Sequence, residues 1–372
     1  MIMKIGITCY PTVGGSGIVA TELGKLLAEK GHDIHFISTA LPFRLNKPYP
    51  NIYYHEVEVN QYEIFQYPPY SLTLASKMAE VIKREKLDVL HVHYAVPHAV
   101  CALLAKDMVD DEVKVVTTLH GTDITVLGHD PSLQEIIRYA IDRSDEVTAV
   151  SKALVQETQD MLQTTKPIET IYNFIDDRIY YPRAVGSDLK KAYGITDQEK
   201  VVIHISNFRP VKKVLDVIEA FAVLKKDCPA VLLMVGDGPD RLRACQKAEE
   251  LGISDQVLFL GNQKNIEDYL HISDLMFLLS EKESFGLAAL EAMACGVPVI
   301  GSNAGGIPEV ITHEEDGYIV PVGAAEQAGQ LGAALLNEEE TYKYFSTNAV
   351  KRAKTVFSSE RIVEQYESIY NR

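Results

Sequence analysis

The densest chemistry in the chain lies in SEKESFGLAALEAMACGVPVI, where Glu283 and Glu291 bracket the start of a helical stretch. A helix start exposes backbone N–H groups and partial positive charge, so Ser284, Phe285, Gly286 and Leu287 at its entry suit phosphate oxygens. Periodicity predicts this helix over Phe285–Ala294. Glu283, just before it, can accept hydrogen bonds from sugar hydroxyls, and Glu291, roughly two turns inside, can grip those of a ribose. Two carboxylates around an anion-binding helix start fit a nucleotide sugar; surface glutamates placed by chance are the plain alternative. Upstream, SNFRPVKK sets Asn207, Arg209, Lys212 and Lys213 at a strand end, where cations suit a diphosphate whose charge grows as it leaves. Gly236 in VGDGP opens a turn that admits a flat or anionic group, and Gly305-Gly306 with Pro308 make a further irregular loop.

The first half carries a weaker set. PTVGGSG places Gly14, Gly15 and Gly17 between a strand and a helix, again an anion-binding arrangement. Its spacing departs from GxGxxG, and Ser38-Thr39-Ala40 stand where an acidic ribose ligand would be. His120 in TTLHGTD follows a strand and can hydrogen-bond a sugar hydroxyl or relay a proton. Thr117, Thr118, Thr122 and Asp123 crowd the same edge. His91 and His93 share one strand face. With no third ligand at a suggestive spacing and no Asp-x-Asp in the chain, no metal site is expected.

These residues need strands to end beside helix starts, and the pattern supplies them. Short apolar runs fall at Lys4–Thr8, Ile34–Ser38, Val89–His93, Val115–Leu119, Glu146–Val150 and Ile168–Tyr172. A second series falls at Val201–Ser206, Val231–Val235, Val257–Leu260, Leu275–Leu279 and Val297–Gly301. Amphipathic stretches such as Gly17–Lys30, Leu72–Glu85, Leu133–Arg143, Lys213–Lys225 and Asp240–Leu251 alternate with them. The expected class is α/β, with two doubly wound parallel sheets and a seam near residues 173–200.

Composition bounds the partners. The 372 residues are 47% hydrophobic and 24% charged, with a net charge of -16. Without a concentrated basic patch, that balance argues against nucleic acid and anionic membranes. No apolar run reaches the roughly 18 residues of a membrane span, and MIMKIGITCYP does not read as a signal peptide. Five cysteines without CxxC spacing suit a reduced cytoplasm.

Glu283-x7-Glu291 within ESFGLAALEAMACGVPVI, followed by GGIPEVI, resembles the signature of the family 4 retaining glycosyltransferases of the GT-B fold. GGSG, HGTD, TAVS, YNFID and VGDGP extend the resemblance over nearly the whole chain. It implies two Rossmann-like domains facing a cleft, an acceptor-binding one at 1–172 plus 355–372 and a nucleotide-sugar-binding one at 173–354. CYPTVGGSG, LHVHYAVPHA, TTLHGTDITVLG and ISNFRPVKKV are more similar still to the family's bacillithiol-pathway branch. That implies UDP-N-acetylglucosamine as donor, L-malate as acceptor, retention at the anomeric carbon, and neither metal nor cofactor.

By that resemblance His120, Lys212 and Glu283 are catalytic. Glu283 meets the donor sugar's hydroxyls, Glu291 the ribose, Lys212 the diphosphate and His120 the region of the 6-hydroxyl, with Gly15 near the diphosphate. The family arginine falls on Asn207, with Arg209 as its shifted substitute. Malate is a dianion and needs several donors, expected here from Ser16, Tyr94, Thr118 and Arg143. A different acceptor, a UDP-N-acetylglucosamine 2-epimerase and a non-catalytic nucleotide-sugar sensor are the competing readings. Self-association stays open.

Overall fold

The computed structural model describes the chain except Met1, Thr12–Val13, Asn46 and residues 184–187. Two compact units result, one formed by Met1–Asn173 with Ser359–Arg372 and the other by Phe174–Ser358. The first contains β1 (Lys4–Thr8), β2 (Asp33–Ser38), β3 (Ile52–Glu56), β4 (Val89–His93), β5 (Lys114–Leu119), β6 (Glu146–Ala149) and β7 (Glu169–Thr170). They pair in parallel in the order β3-β2-β1-β4-β5-β6-β7. The second contains β8 (Lys200–Ile205), β9 (Ala230–Val235), β10 (Val257–Gly261), β11 (Leu275–Leu278), β12 (Val299–Ser302) and β13 (Gly317–Val320). Their order is β10-β9-β8-β11-β12-β13, again parallel.

Helices cover both faces of each sheet, so the central strands read as unbroken apolar runs. Ile5, Ile7, Leu90, Val92, Val115 and Val116 are all buried, as are Val202, Ile203, Leu232, Leu233, Met276 and Phe277. Of the four edge strands, β3 and β13 lie outside the expected set. In β3 only His55 is buried, while Tyr53 and Glu56 are exposed, so no continuous apolar run marks it. β13 opens on Gly317 and is only four residues long.

In both sheets the chain reverses direction beside its first strand. The loops after β1 and β4, and after β8 and β11, therefore diverge and leave a crevice at the carboxyl ends. Every residue just after these strands falls at such a switch point.

The helix Glu339–Val356 runs through residue 355, and the chain returns to the first unit as the helix Ser359–Tyr370. Tyr366 and Tyr370 are buried there. The Tyr370 hydroxyl bonds His91 Nδ1 at 2.8 Å. Glu367 accepts from Lys30 at 2.5 Å and contacts His32 at 3.0 Å, while Arg372 pairs with Glu169 at 2.7 Å. Among the described residues no helix is long and apolar enough to cross a membrane.

Candidate active site

In the second unit, β8 runs into a loop built around Phe208. Its ring is fully buried and its backbone sits at φ +42°, which leaves Asn207 and Arg209 on either side exposed. A hydrogen-bonded chain pins this loop across the switch point. His204 Nδ1–H donates to the Phe277 carbonyl at 2.9 Å, so its Nε2 accepts from the Ser206 hydroxyl at 2.8 Å. The Phe208 N–H donates to Ser206 Oγ at 3.2 Å. Burial pulls His204 down to about 4, so the ring stays neutral in this role.

At the end of a short turn, Pro210–Lys212, Lys212 Nζ donates to Glu283 Oε2 at 2.6 Å, with both side chains mostly buried. The sequence separates these two candidates by a whole Rossmann unit, and the switch point joins them. Glu283 is held from behind by the Gly305-Gly306 loop. The Gly306 N–H donates to its carbonyl at 2.9 Å, and a Cβ on Gly305, at φ +51°, would stand 1.9 Å from that oxygen. Gly236 has a comparable role. Its lack of a side chain lets the VGDGP turn close on the protein's own backbone, since a Cβ there would lie 1.8 Å from the Ser206 carbonyl.

The helix entry lies two residues later than predicted, at Leu287–Ala294, because Gly286 caps it at φ +102°. Its first intrahelical bond runs from Leu290 N–H to the Gly286 carbonyl, which leaves the N–H groups of Leu287 to Ala289 outside the ladder. No acidic residue stands in that first turn to compete with an anion. Ser284 is half-buried, Phe285 is buried against Phe357 with ring centroids 5.6 Å apart, and Glu291 is buried within the helix.

In the first unit, Gly14 caps the helix Gly15–Glu29, and Ser16 in its first turn shares a 2.6 Å hydrogen bond with the Tyr94 hydroxyl. That bond joins the loops after β1 and β4. Tyr94 itself sits at φ +86°, its N–H donating to the Thr118 carbonyl at 2.9 Å. At the end of β5, His120 Nε2 meets His93 Nδ1 at 2.7 Å. Asp123 is fully buried; its two oxygens accept from the Ala95 and Gly121 N–H groups, each at 3.0 Å, and so tie the β4 and β5 loops together. Burial pushes its carboxyl up to about 6 against these opposing bonds.

Two expected acceptor residues fall elsewhere. Thr118 is fully buried, and its hydroxyl contacts His91 Nε2 and Thr148 Oγ1, each at 2.7 Å, so it links β4, β5 and β6 inside the sheet. Arg143 ends the helix Pro131–Arg143, three residues before β6 begins. It is an exposed side chain at the amino edge of the sheet, opposite the strand ends that carry Ser16, Tyr94 and His120. Helical periodicity placed Arg143 correctly at the end of its helix, but that end leads into β6 at the amino edge of the sheet.

His93 and Asp123 carry more of this site than their sequence context indicated. Their signals were present, a His-x-His on one strand face and an acid three residues after His120, but neither names its partner. Among the described residues, His35, His55 and Glu85 are grouped closely enough to consider a metal. There, Arg84 donates to His55 Nδ1 at 2.9 Å, which directs a protonated Nε2 toward His35 Nδ1, also at 2.9 Å. A guanidinium in that position opposes a second cation.

A family model described as Glycosyltransferase Family 4 matches residues 13–178, and one described as Glycosyl transferases group 1 matches residues 187–352. The N-acetyl-alpha-D-glucosaminyl L-malate synthase of Bacillus anthracis is 59% identical over 370 residues, which span 100% of this chain and 97% of that protein. The chain belongs to the family 4 glycosyltransferases. An uncharacterized glycosyltransferase of Methanocaldococcus jannaschii is 27% identical to this glycosyltransferase, over 99% of the chain and 98% of its own length. Among solved structures, a glycosyltransferase from Rickettsia africae matches with a TM-score of 0.83 at 23% identity, covering 99% of this chain and 98% of its own. Anabaena Alr3699/HepE in complex with UDP and glucose matches at 0.82 and 22%, covering 99% of each chain. The two doubly wound sheets of this glycosyltransferase are those of the GT-B fold.

Proposed function

We propose that this glycosyltransferase moves N-acetylglucosamine from UDP-N-acetylglucosamine to the hydroxyl of L-malate, with retention at the anomeric carbon, as the first step of bacillithiol biosynthesis. The observation that carries this reading is the 59% identity, over essentially both full lengths, with the Bacillus anthracis L-malate synthase. The free cysteines suit a cytoplasmic setting.

The second unit holds the donor. Lys212, Arg209 and the N–H groups opening the helix Leu287–Ala294 take the diphosphate, Glu283 the sugar hydroxyls and Glu291 the ribose. Support comes from the same fold in Alr3699/HepE, which is described in complex with UDP-glucose. Glu283 orients Lys212 before donor arrives, so the ammonium need only exchange one anionic partner for another. As the sugar–phosphate bond breaks, these fixed donors stabilise the charge growing on the diphosphate, and no metal is required. Ser16, Tyr94 and the first turn of the helix Gly15–Glu29 receive the acceptor carboxylates.

Retention follows from departure and attack on one face, with the leaving phosphate taking the malate hydroxyl proton. A carboxylate nucleophile on the opposite face would be the alternative. Asp123 is unsuited to it because the protein's own N–H groups occupy both of its oxygens.

The test is mass spectrometry and anomeric NMR of products from UDP-N-acetylglucosamine offered with malate and a panel of other hydroxy acids and sugars, with and without chelator. The expected product is the α-linked malate glycoside at an unchanged rate in chelator. Preference for another acceptor, acceptor-free sugar isomerisation, or a requirement for magnesium or manganese would each overturn part of this reading.

A further inference from the structure

His120 commits Nε2 to His93 Nδ1 at 2.7 Å, and among the described residues no hydrogen bond is made to its other ring nitrogen. Burial keeps both rings neutral, pulling His120 down to about 3 and His93 well below the usual histidine range. A single proton therefore lies between them and belongs to one ring or the other. If His120 donated it, His93 would have to carry its own proton on Nε2, which is buried without a partner. A desolvated N–H with no acceptor is the rarer kind of orphan in protein interiors. If His93 donates, its Nε2 is a bare lone pair and His120 must hold its proton on Nδ1.

We propose that His93 is a positioning residue that locks His120 as the Nδ1–H tautomer, so that His120 meets the donor sugar as a hydrogen-bond donor and not as a base. This rests on the reading that His120 touches the sugar. The surroundings allow His93 little freedom. It is fully buried, its ring stacks on His91 at 4.5 Å and on His120 at 5.0 Å, and its carbonyl accepts from His98 Nδ1 at 2.5 Å. Tyr94 flanks His120 with ring centroids 5.5 Å apart. An Nδ1–H presented at the strand end favours a sugar bearing an oxygen at the contacted position. It also leaves the malate proton to the departing phosphate, since neither nitrogen of His120 is free to accept it.

The decisive measurement is nitrogen NMR of protein with labelled histidine, in which His120 is assigned from the signal lost in His120→Asn. The expected wild-type pattern is a protonated Nδ1, and a protonated Nε2 overturns the proposal without any further variant. His93→Leu removes the donor, whereas His93→Asn keeps an amide N–H able to reach His120. We expect His93→Leu to lose about ten-fold in kcat/KM for the sugar nucleotide, the weight of roughly one hydrogen bond, with the malate KM unchanged and most of the loss restored in His93→Asn. Equal losses in the two variants would reduce His93 to a packing residue and overturn the positioning role. A protonated Nδ1 that disappears in His93→Leu while turnover stays at the wild-type level would instead remove His120 from the sugar, and with it the reading on which the proposal rests.

Discussion

Replacing Gly305 by alanine tests whether the glycine loop behind Glu283 sets the position of that carboxylate. Two costs separate cleanly. The backbone at φ +51° is left-handed, which costs an L side chain about 1–2 kcal/mol in stability. The new Cβ would also lie 1.9 Å from the Glu283 carbonyl oxygen, whereas real Cβ contacts essentially never fall below 3.0 Å. The loop and the Glu283 backbone must therefore separate by about 1.1 Å, weakening the 2.9 Å bond from the Gly306 N–H, worth about 1 kcal/mol. Displacements near 1 Å at a reacting centre cost about 100-fold in rate. Gly323→Ala is the control, because it has the same kind of backbone at φ +82° and nothing within 4 Å of a new Cβ. Urea unfolding and UDP release with malate should show both variants destabilised, Gly305→Ala by about 2–3 kcal/mol, but only Gly305→Ala slowed by about 100-fold. If the two variants lose rate equally, or Gly305→Ala turns over like wild type, Glu283 does not depend on that loop.

Lys212→Met and Glu283→Gln should each depress kcat, and a double-mutant cycle on donor kcat/KM should show about 1–3 kcal/mol of coupling; additive effects would mean that their 2.6 Å contact is irrelevant to turnover. Thr118→Val should cost about 1–3 kcal/mol in unfolding free energy by leaving His91 and Thr148 short of a partner, with the malate KM unchanged. Arg143→Ala should leave both KM values within about two-fold, as its place at the amino edge requires; a selective rise in malate KM would put the guanidinium back in the pocket. Stability should fall as pH drops below about 6.5. His91, His98 and His204 are buried neutral with folded values near 3, 4 and 4, so their stabilisation is present above the unfolded value and is lost as the chain binds protons on unfolding. Asp123, raised to about 6, works in the opposite sense between about pH 4 and 6, so it blunts this loss. Urea midpoints at pH 7, 6 and 5 check this, and a flat or rising series toward acid refutes it.

The alternation of apolar runs with amphipathic helices was enough to reach two doubly wound sheets, because strands covered on both faces cannot hide their composition. Edge strands can. IYYHE is half wetted and GYIV begins with glycine, so neither β3 nor β13 announces itself. Residue type and strand-end placement singled out Lys212, Glu283, Ser16 and Tyr94, which the fold brings into contact as two separate pairs. Direction was harder to read. The hydroxyl of Thr118 turns into the sheet, and no spacing states that; the helix end at Arg143 was legible, but its distance from the carboxyl ends of the strands was not used. The pairing of His93 with His120 joins neighbouring strands through register, a long-range property that local sequence does not state.

The first unit is also discontinuous in time. Residues 359–372 leave the ribosome only after all of Phe174–Ser358, so until then His91 lacks Tyr370 and the surface destined for Tyr366 stays uncovered. The domain begun first is finished last, and during synthesis it must persist as an incomplete, apolar-faced intermediate, while the domain made in between can close on its own. A stop codon shortly before residue 359 would therefore damage the earliest-made half of the protein and spare the latest.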